Sequence, residues 1–408
     1  MKTPRIVWLA AADARGHLAR AHLARKLLSH RGIAVDIVTT HTEGQRFIEA
    51  LGSPSTVLSP HYGVAFDTWQ NMDRRRTEAT IVRYFLDPAR GLTDLSRLRE
   101  ISAGAAYIVN DFHPLLLLAG ETLGPVVHVY GATLYQAIAH HFEGRGPGAL
   151  DRRFSGLVAS LAARAYARIE HGLAAPEEGQ FRRDDLTFVL PPLIHLPRRP
   201  REEVRASLGL TPKDRLAAVY LNPHFRDDRL ARTLRDVLAD RGYWVHAVGE
   251  GLADQRSFRA HDSDFASVAC AADLLISAPG MASSAQARSF GVPFVALATD
   301  QPEQRANLAA LADNPAVVPV DLLALLRRAP LDTGSLAGRD CPLRTALADA
   351  VDRASLARAS APLAPPSIDR LREVHNRWCS VLTGLVPTTV LPAQKPRRGL
   401  SHLLRTEV

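Results

Sequence analysis

The chain alternates short, wholly apolar runs with longer stretches whose apolar residues recur at helical spacing. Runs at 6–10, 34–39, 106–110, 216–221, 273–277 and 294–298 are too short for core helices and too uniformly apolar to face water on one side. They predict parallel strands covered on both faces. After the first run, Leu18, Leu23, Leu27 and Leu28 share one helical face and the pattern stops at His30-Arg31-Gly32; after the fifth, a helical stretch at 281–290 stops at Gly291-Val292-Pro293. Strand, small-residue turn, helix, strand is the repeat of a doubly wound α/β domain, whose ligand crevice lies at the carboxyl ends of the strands.

Prolines divide this pattern. Pro191, Pro192, Pro197 and Pro200 make 190–200 a semi-rigid connector unfit for helix or central strand, and Pro362, Pro365 and Pro366 precede a helical stretch at 368–382. A chain of 408 residues, 46% of them hydrophobic, exceeds what one core usually supports. The expected organisation is two Rossmann-like domains at 1–190 and 201–365, a linker at 191–200, a helix at 366–384 that crosses back to the first domain, and a basic tail at 385–408. A further helix is expected at 150–173, where Phe154, Leu157, Leu161 and Tyr166 stand among arginines and suit either a domain interior or a membrane surface.

The region 265–307 carries the most specific chemistry. Ala278-Pro279-Gly280 breaks a strand, and the helix that follows points its first N–H groups and positive dipole end into the crevice, a place suited to a diphosphate. Ser283 stands three positions after Gly280, Gln286 six after and Gly291-Val292-Pro293 eleven after, with Glu303-Gln304-Arg305-Ala306-Asn307 beyond the next strand. This series resembles the donor domain of GT-B glycosyltransferases, nearest the UDP-glycosyltransferases and the N-acetylglucosaminyl transferase of peptidoglycan synthesis. The resemblance implies two Rossmann-like doubly wound domains facing across a cleft, a nucleotide-sugar co-substrate (UDP-sugar by default) and no other cofactor. It implies donor contacts from Gly280, Met281, Ala282 and Ser283 at the helix start and from Glu303 and Gln304 to the sugar. Gln286 stands where the family has an acidic residue for the ribose hydroxyls; an amide keeps an acceptor but loses the charge-assisted bond. More loosely, the resemblance places His261 and Phe265 by the nucleobase and Asn222 by the phosphates, where Pro223 removes a backbone donor.

In the first half, Gly16-His17 is similar to the glycine-histidine opening of GT-B acceptor domains. The resemblance makes His17 the candidate catalytic base, and Asp111, beyond the 106–110 strand, the carboxylate that would hold its tautomer and stabilise the imidazolium. In the peptidoglycan branch the corresponding histidine serves acceptor binding instead. Helix capping or loop solvation for His17, and an ordinary loop carboxylate for Asp111, are the plainer alternatives.

Charge bears on partners. The formal net charge is +8, carried by arginine, since Lys2, Lys26, Lys213 and Lys395 are the only lysines. Such a field suits nucleotide diphosphates, an anionic membrane face with a lipid-linked acceptor, or nucleic acid, and nucleic acid has the least support because no binding motif accompanies the charge. Cys270, Cys341 and Cys379 are too scattered for a disulfide framework, the histidine pairs lack metal-ligand spacing, and neither a P-loop nor a Gly-x-Gly-x-x-Gly fingerprint is present; Gly144-Arg145-Gly146-Pro147-Gly148 follows no strand and reads as a loop. The expectation is a metal-independent bacterial-type sugar transferase of the cytoplasm, in peripheral membrane contact at most, acting on an unidentified hydroxyl acceptor. A nucleotide-sugar hydrolase or epimerase on the same fold is one alternative. An inactive binding subunit, motivated by Gln286 and Asn222-Pro223, is the other.

Overall fold

Two sheets, one in each of two compact units, carry the structure. The computed structural model describes residues 3–12, 15–59, 87–111, 113–119, 122–132, 164–183, 186–255, 257–299, 301–328, 341–360 and 367–387, with residues 65, 73, 76, 79, 80, 83 and 84. One unit comprises Met1–Val64, Arg75–Ile194 and Arg372–Val408; the other comprises Ala65–Arg74 and His195–Leu371.

The first unit holds β1 (Arg5–Ala10), β2 (Ala34–Thr39), β3 (Ser55–Val57), β4 (Tyr107–Asp111), β5 (Val126–Gly131), β6 (Ala167–His171), β7 (Gln180–Arg182) and β8 (Thr187–Leu190). Their order is β3-β2-β1-β4-β5-β6-β8-β7, parallel except for the antiparallel β7–β8 pair. The second unit holds β9 (Arg215–Leu221), β10 (Tyr243–Gly249), β11 (Phe258–Arg259), β12 (Leu274–Ser277), β13 (Phe294–Ala298) and β14 (Val317–Asp321), all parallel, in the order β11-β10-β9-β12-β13-β14. Each sheet therefore starts inside, builds outward one way, then reverses, between β1 and β4 in one unit and between β9 and β12 in the other. Such reversals open the ligand crevices of doubly wound folds.

The apolar runs are covered on both faces. In β1, Ile6, Trp8 and Ala10 join a core with Leu18, Ala21 and Leu28 of helix Arg15–Ser29, whereas Val7 and Leu9 join a second core with Leu98 of helix Pro88–Ser102. Successive side chains of one strand enter opposite layers, so neither face can be polar. Helix Ile368–Gly384 completes the first core with Trp378, whose Nε1 donates to Pro191 O at 2.8 Å, while Tyr107 OH donates to Leu382 O at 2.6 Å. In the second unit, Asp273 accepts from Leu216 N at 2.8 Å and pairs with Arg201 at 2.6 Å, Arg205 at 3.0 Å and Arg358 at 3.2 Å. One carboxylate thus ties helices Arg201–Ser207 and Pro342–Ser360 to the head of the sheet. Helix Met281–Phe290 ends on Gly291 in left-handed geometry (φ 61°), which glycine adopts without a Cβ penalty.

The helix expected at 150–173 is corrected at its carboxyl end, because residues 167–171 form β6 between β5 and β8. Ala167 and Ile169 enter the core while Glu170, between Ile169 and His171, is half-buried, a period of two that the helical spacing of the upstream apolar residues obscured. Residues 150–163, the glycine run at 144–148 and the tail from 388 lie outside the described residues. Strand β4 reaches one residue further than expected, so Asp111 belongs to the sheet itself. No helix among the described residues is long and apolar enough to cross a membrane.

Two buried histidines make this unit acid-sensitive. Asn110 Nδ2 donates to His113 O and lies 3.0 Å from His128 Nδ1, and His113 Nδ1 accepts from Leu115 N at 3.1 Å, so both rings serve as neutral acceptors. Burial pushes His113 and His128 down to about 4, with Arg168 adding to the effect on His128. The unfolded chain takes up protons from about pH 6.5 downward that the folded chain refuses, so the stability is complete above that pH and is lost as pH falls towards 4. Up to about 3 kcal/mol per ring is at stake. The melting temperature should fall by roughly 5–10 °C between pH 7 and pH 5; a flat profile over that window would contradict the assignment.

Candidate active site

Parallel strand ends and one helix start gather four polar side chains in the first unit. Helix Arg15–Ser29 follows β1 and carries His17 in its first turn and Arg20 one turn on, the spacing that puts two side chains on one face. Asp111 is the last residue of β4 and pairs in register with Ala10, the last of β1, while His171 ends β6. His17 Nδ1 lies 2.6 Å from Asp111 Oδ1. Arg20 forks onto the same carboxylate, Nε to Oδ2 at 2.8 Å and Nη2 to Oδ1 at 2.7 Å, and its Nη1 lies 2.7 Å from His171 Nε2. Trp8 Nε1 donates to Asp111 Oδ2 at 3.3 Å.

Burial grades across this group. The Asp111 side chain is 0% exposed, that of Arg20 8% and that of His17 21%, so the histidine is the member that meets solvent. Burial by itself would raise the Asp111 carboxyl, but the charges and hydrogen bonds of Arg20 and His17 outweigh it and hold the group well below the usual carboxylate range. An ionised carboxylate only accepts, which places a His17 proton on Nδ1. Likewise Arg20 only donates, so His171 is unprotonated at Nε2; burial, followed by the charge of Arg20, pushes its pKa far below the ordinary value. The first helix and β4 thus bring together the two residues singled out in the sequence, and the structure adds Arg20, His171 and Trp8. Arg20 was detectable in principle, as a charge three residues after His17. His171 was hidden because its strand resembled the end of a helix.

The second unit presents its own strand-end edge. Helix Met281–Phe290 starts at Gly280 in extended geometry (φ −68°, ψ 163°) with no side-chain cap. First-turn N–H groups have no partners within a helix, and Ala282 is exposed while Gly280, Met281 and Ser283 are half-buried, so the helix tip reaches solvent. Ser283 Oγ lies 2.9 Å from Ser277 Oγ. Gln286 is half-buried, one turn further along the helix.

Just beyond the end of β9, Asn222 O accepts from Phe225 N at 3.0 Å in a tight turn, and among the described residues no group hydrogen-bonds the buried Asn222 Oδ1. Gly251 packs against that turn: a Cβ there would stand 2.5 Å from Phe225 O and 2.9 Å from Pro223 O, leaving room for no larger residue. His261 is exposed, beside Asp262, which is anchored to His246 Nε2 at 2.7 Å. Phe265, 9% exposed, packs inward with Tyr220, the ring centroids 5.5 Å apart. Glu303 is exposed, whereas Gln304 is buried and its Oε1 accepts from Thr299 N at 2.7 Å. Asn307 Nδ2 donates to Pro279 O at 3.0 Å, so Gln304 and Asn307 brace the loop after β13 against the turn before Gly280.

The sequence matches no family model and no curated protein. Solved structures do resemble the chain. The spinosyn rhamnosyltransferase SpnG superposes with a TM-score of 0.55 at 13% identity, covering 94% of this chain and 99% of that one. The same enzyme complexed with thymidine diphosphate gives 0.54 at 16% identity, over 93% and 99%. A glycosyltransferase of kitacinnamycin gives 0.53 at 19% identity, over 95% and 100%. Two parallel-dominated sheets, and likeness along nearly the whole of both chains, establish that this protein has the two-domain α/β fold of the GT-B glycosyltransferases.

Proposed function

We propose that the protein transfers a sugar from a nucleoside diphosphate sugar to a hydroxyl acceptor, without a metal ion and with His17 as the base. The carrying observation is the 2.6 Å contact between His17 and a fully buried Asp111 at the carboxyl end of β4. His17 Nε2 takes the acceptor's proton as its oxygen bonds to the anomeric carbon; the bond from that carbon to the diphosphate breaks, and the diphosphate leaves with the electron pair. Asp111 stabilises the imidazolium that forms. On the donor side, the uncapped start of helix Met281–Phe290 supplies N–H groups for the developing phosphate charge.

UDP is the default carrier, and thymidine diphosphate is a second candidate: it is bound in the SpnG complex, and an amide at Gln286 depends less on a full set of ribose hydroxyls than a carboxylate would. Calorimetry against UDP, TDP and GDP is expected to show binding of at least one. Silence from all three would contradict the reading and favour a binding subunit. Release of free or epimerised sugar from the donor alone, with no acceptor requirement, would instead identify a hydrolase or epimerase.

A further inference from the structure

We propose that Arg20 is a positioning residue that counterbalances Asp111, so that His17 is presented as a neutral base, and that His171 holds Arg20 in place. Its catalytic purpose rests on the proposed role of His17. The balance itself is a property of the cluster and can be measured without any turnover.

A carboxylate 2.6 Å from an imidazole favours the imidazolium, and a histidine already protonated cannot act as a base. Here the same carboxylate is gripped by a guanidinium whose Nη2 stands 3.0 Å from His17 Nδ1. Arg20 and Asp111 together carry no net charge, and the arginine opposes a second proton on the ring while leaving the Nδ1–Asp111 bond intact. The fork also orients the carboxylate, because Nε and Nη2 engage its two oxygens separately.

The remaining guanidinium nitrogen explains His171. This ring ends β6, is 3% exposed, and offers Nε2 to Arg20 Nη1 at 2.7 Å. A neutral acceptor satisfies the donor without adding charge, whereas a carboxylate here would tip the cluster negative and an imidazolium would repel Arg20. Behind it, the ring of Trp378 lies 6.1 Å away, supplied by helix Ile368–Gly384. Among the described residues, two further side chains stand near the cluster. Trp8 on β1 contributes a neutral N–H to Asp111, and Arg15 on the same helix turns to Ala12 O and lies over the Phe47 ring.

The test follows His17 through pH by NMR of the full chain labelled with ¹⁵N-histidine. In Arg20→Gln the pH at which His17 takes its second proton should rise by about one unit or more, and in Asp111→Asn it should fall by a similar amount. The Arg20→Gln/Asp111→Asn double variant, which buries neither charge, should return to within about half a unit of wild type. His171→Gln, which keeps an acceptor, should leave the midpoint in place, and His171→Leu should raise it. An unchanged midpoint in Arg20→Gln would overturn the inference; should that variant not fold, a double variant displaced by about a full unit would do so. The expected pattern without any transferase activity would sink the proposed function and leave the balance standing.

Discussion

Replacing His17 with alanine is expected to lower turnover by about 10²–10⁴-fold, the usual worth of a positioned general base. Donor affinity should stay within about twofold, a change worth less than half a kcal/mol, because His17 lies in one unit while the residues proposed to hold the donor, from Asn222 to Gln304, lie in the other. Steady-state kinetics with calorimetric donor titration separates the two quantities. Equal loss of both would remove His17 from the role of base and make it a binding residue. The alanine leaves the Arg20–Asp111 fork intact, so the variant should fold as the wild type does.

Asp111→Ala should be far more damaging to the structure. The deleted carboxylate accepts from Arg20 twice, from Trp8 and from His17, at a position with no exposed surface. Its loss leaves a guanidinium of 8% exposure without its counter-charge. Removing one partner of a buried ion pair typically costs about 3–5 kcal/mol, a large part of the stability of most domains. Asp111→Asn keeps the shape and should cost less stability, yet its amide can donate to His17 Nδ1 and favour the wrong tautomer, so turnover should still collapse. Denaturant unfolding measures the first effect; a midpoint for Asp111→Ala equivalent to within about 1 kcal/mol of wild type would contradict the assignment. Because the folded carboxyl is held low, this stability is present above the ordinary carboxylate range and is lost as pH falls through the folded value, well below the window in which His113 and His128 act.

Much of the fold was legible in the chain because buried parallel strands advertise themselves as uninterrupted apolar runs. Residues 34–39, 281–290 and 294–298 have the bounds their composition suggests, and Gly291 ends its helix for the reason glycine usually does. What stayed hidden was polar and three-dimensional. Strand β6, Ala-Arg-Ile-Glu-His, is too brief and too charged to announce itself, and misreading it concealed His171. Arg20 looked like one more surface arginine in a chain full of them; only the meeting of β4 with the first helix gives it a buried partner. Sequence spacing also could not separate Glu303 from Gln304, adjacent residues of which one faces solvent and the other braces a loop. Nor does spacing show that the Phe265 ring packs with Tyr220.

The most direct test of the central claim is a crystal structure with the nucleoside diphosphate that binds in calorimetry. Its phosphates are expected against the backbone N–H groups of Met281 and Ala282, at the tip of the helix that begins after Gly280. Phosphates bound elsewhere on the chain, with that helix tip untouched, would contradict it.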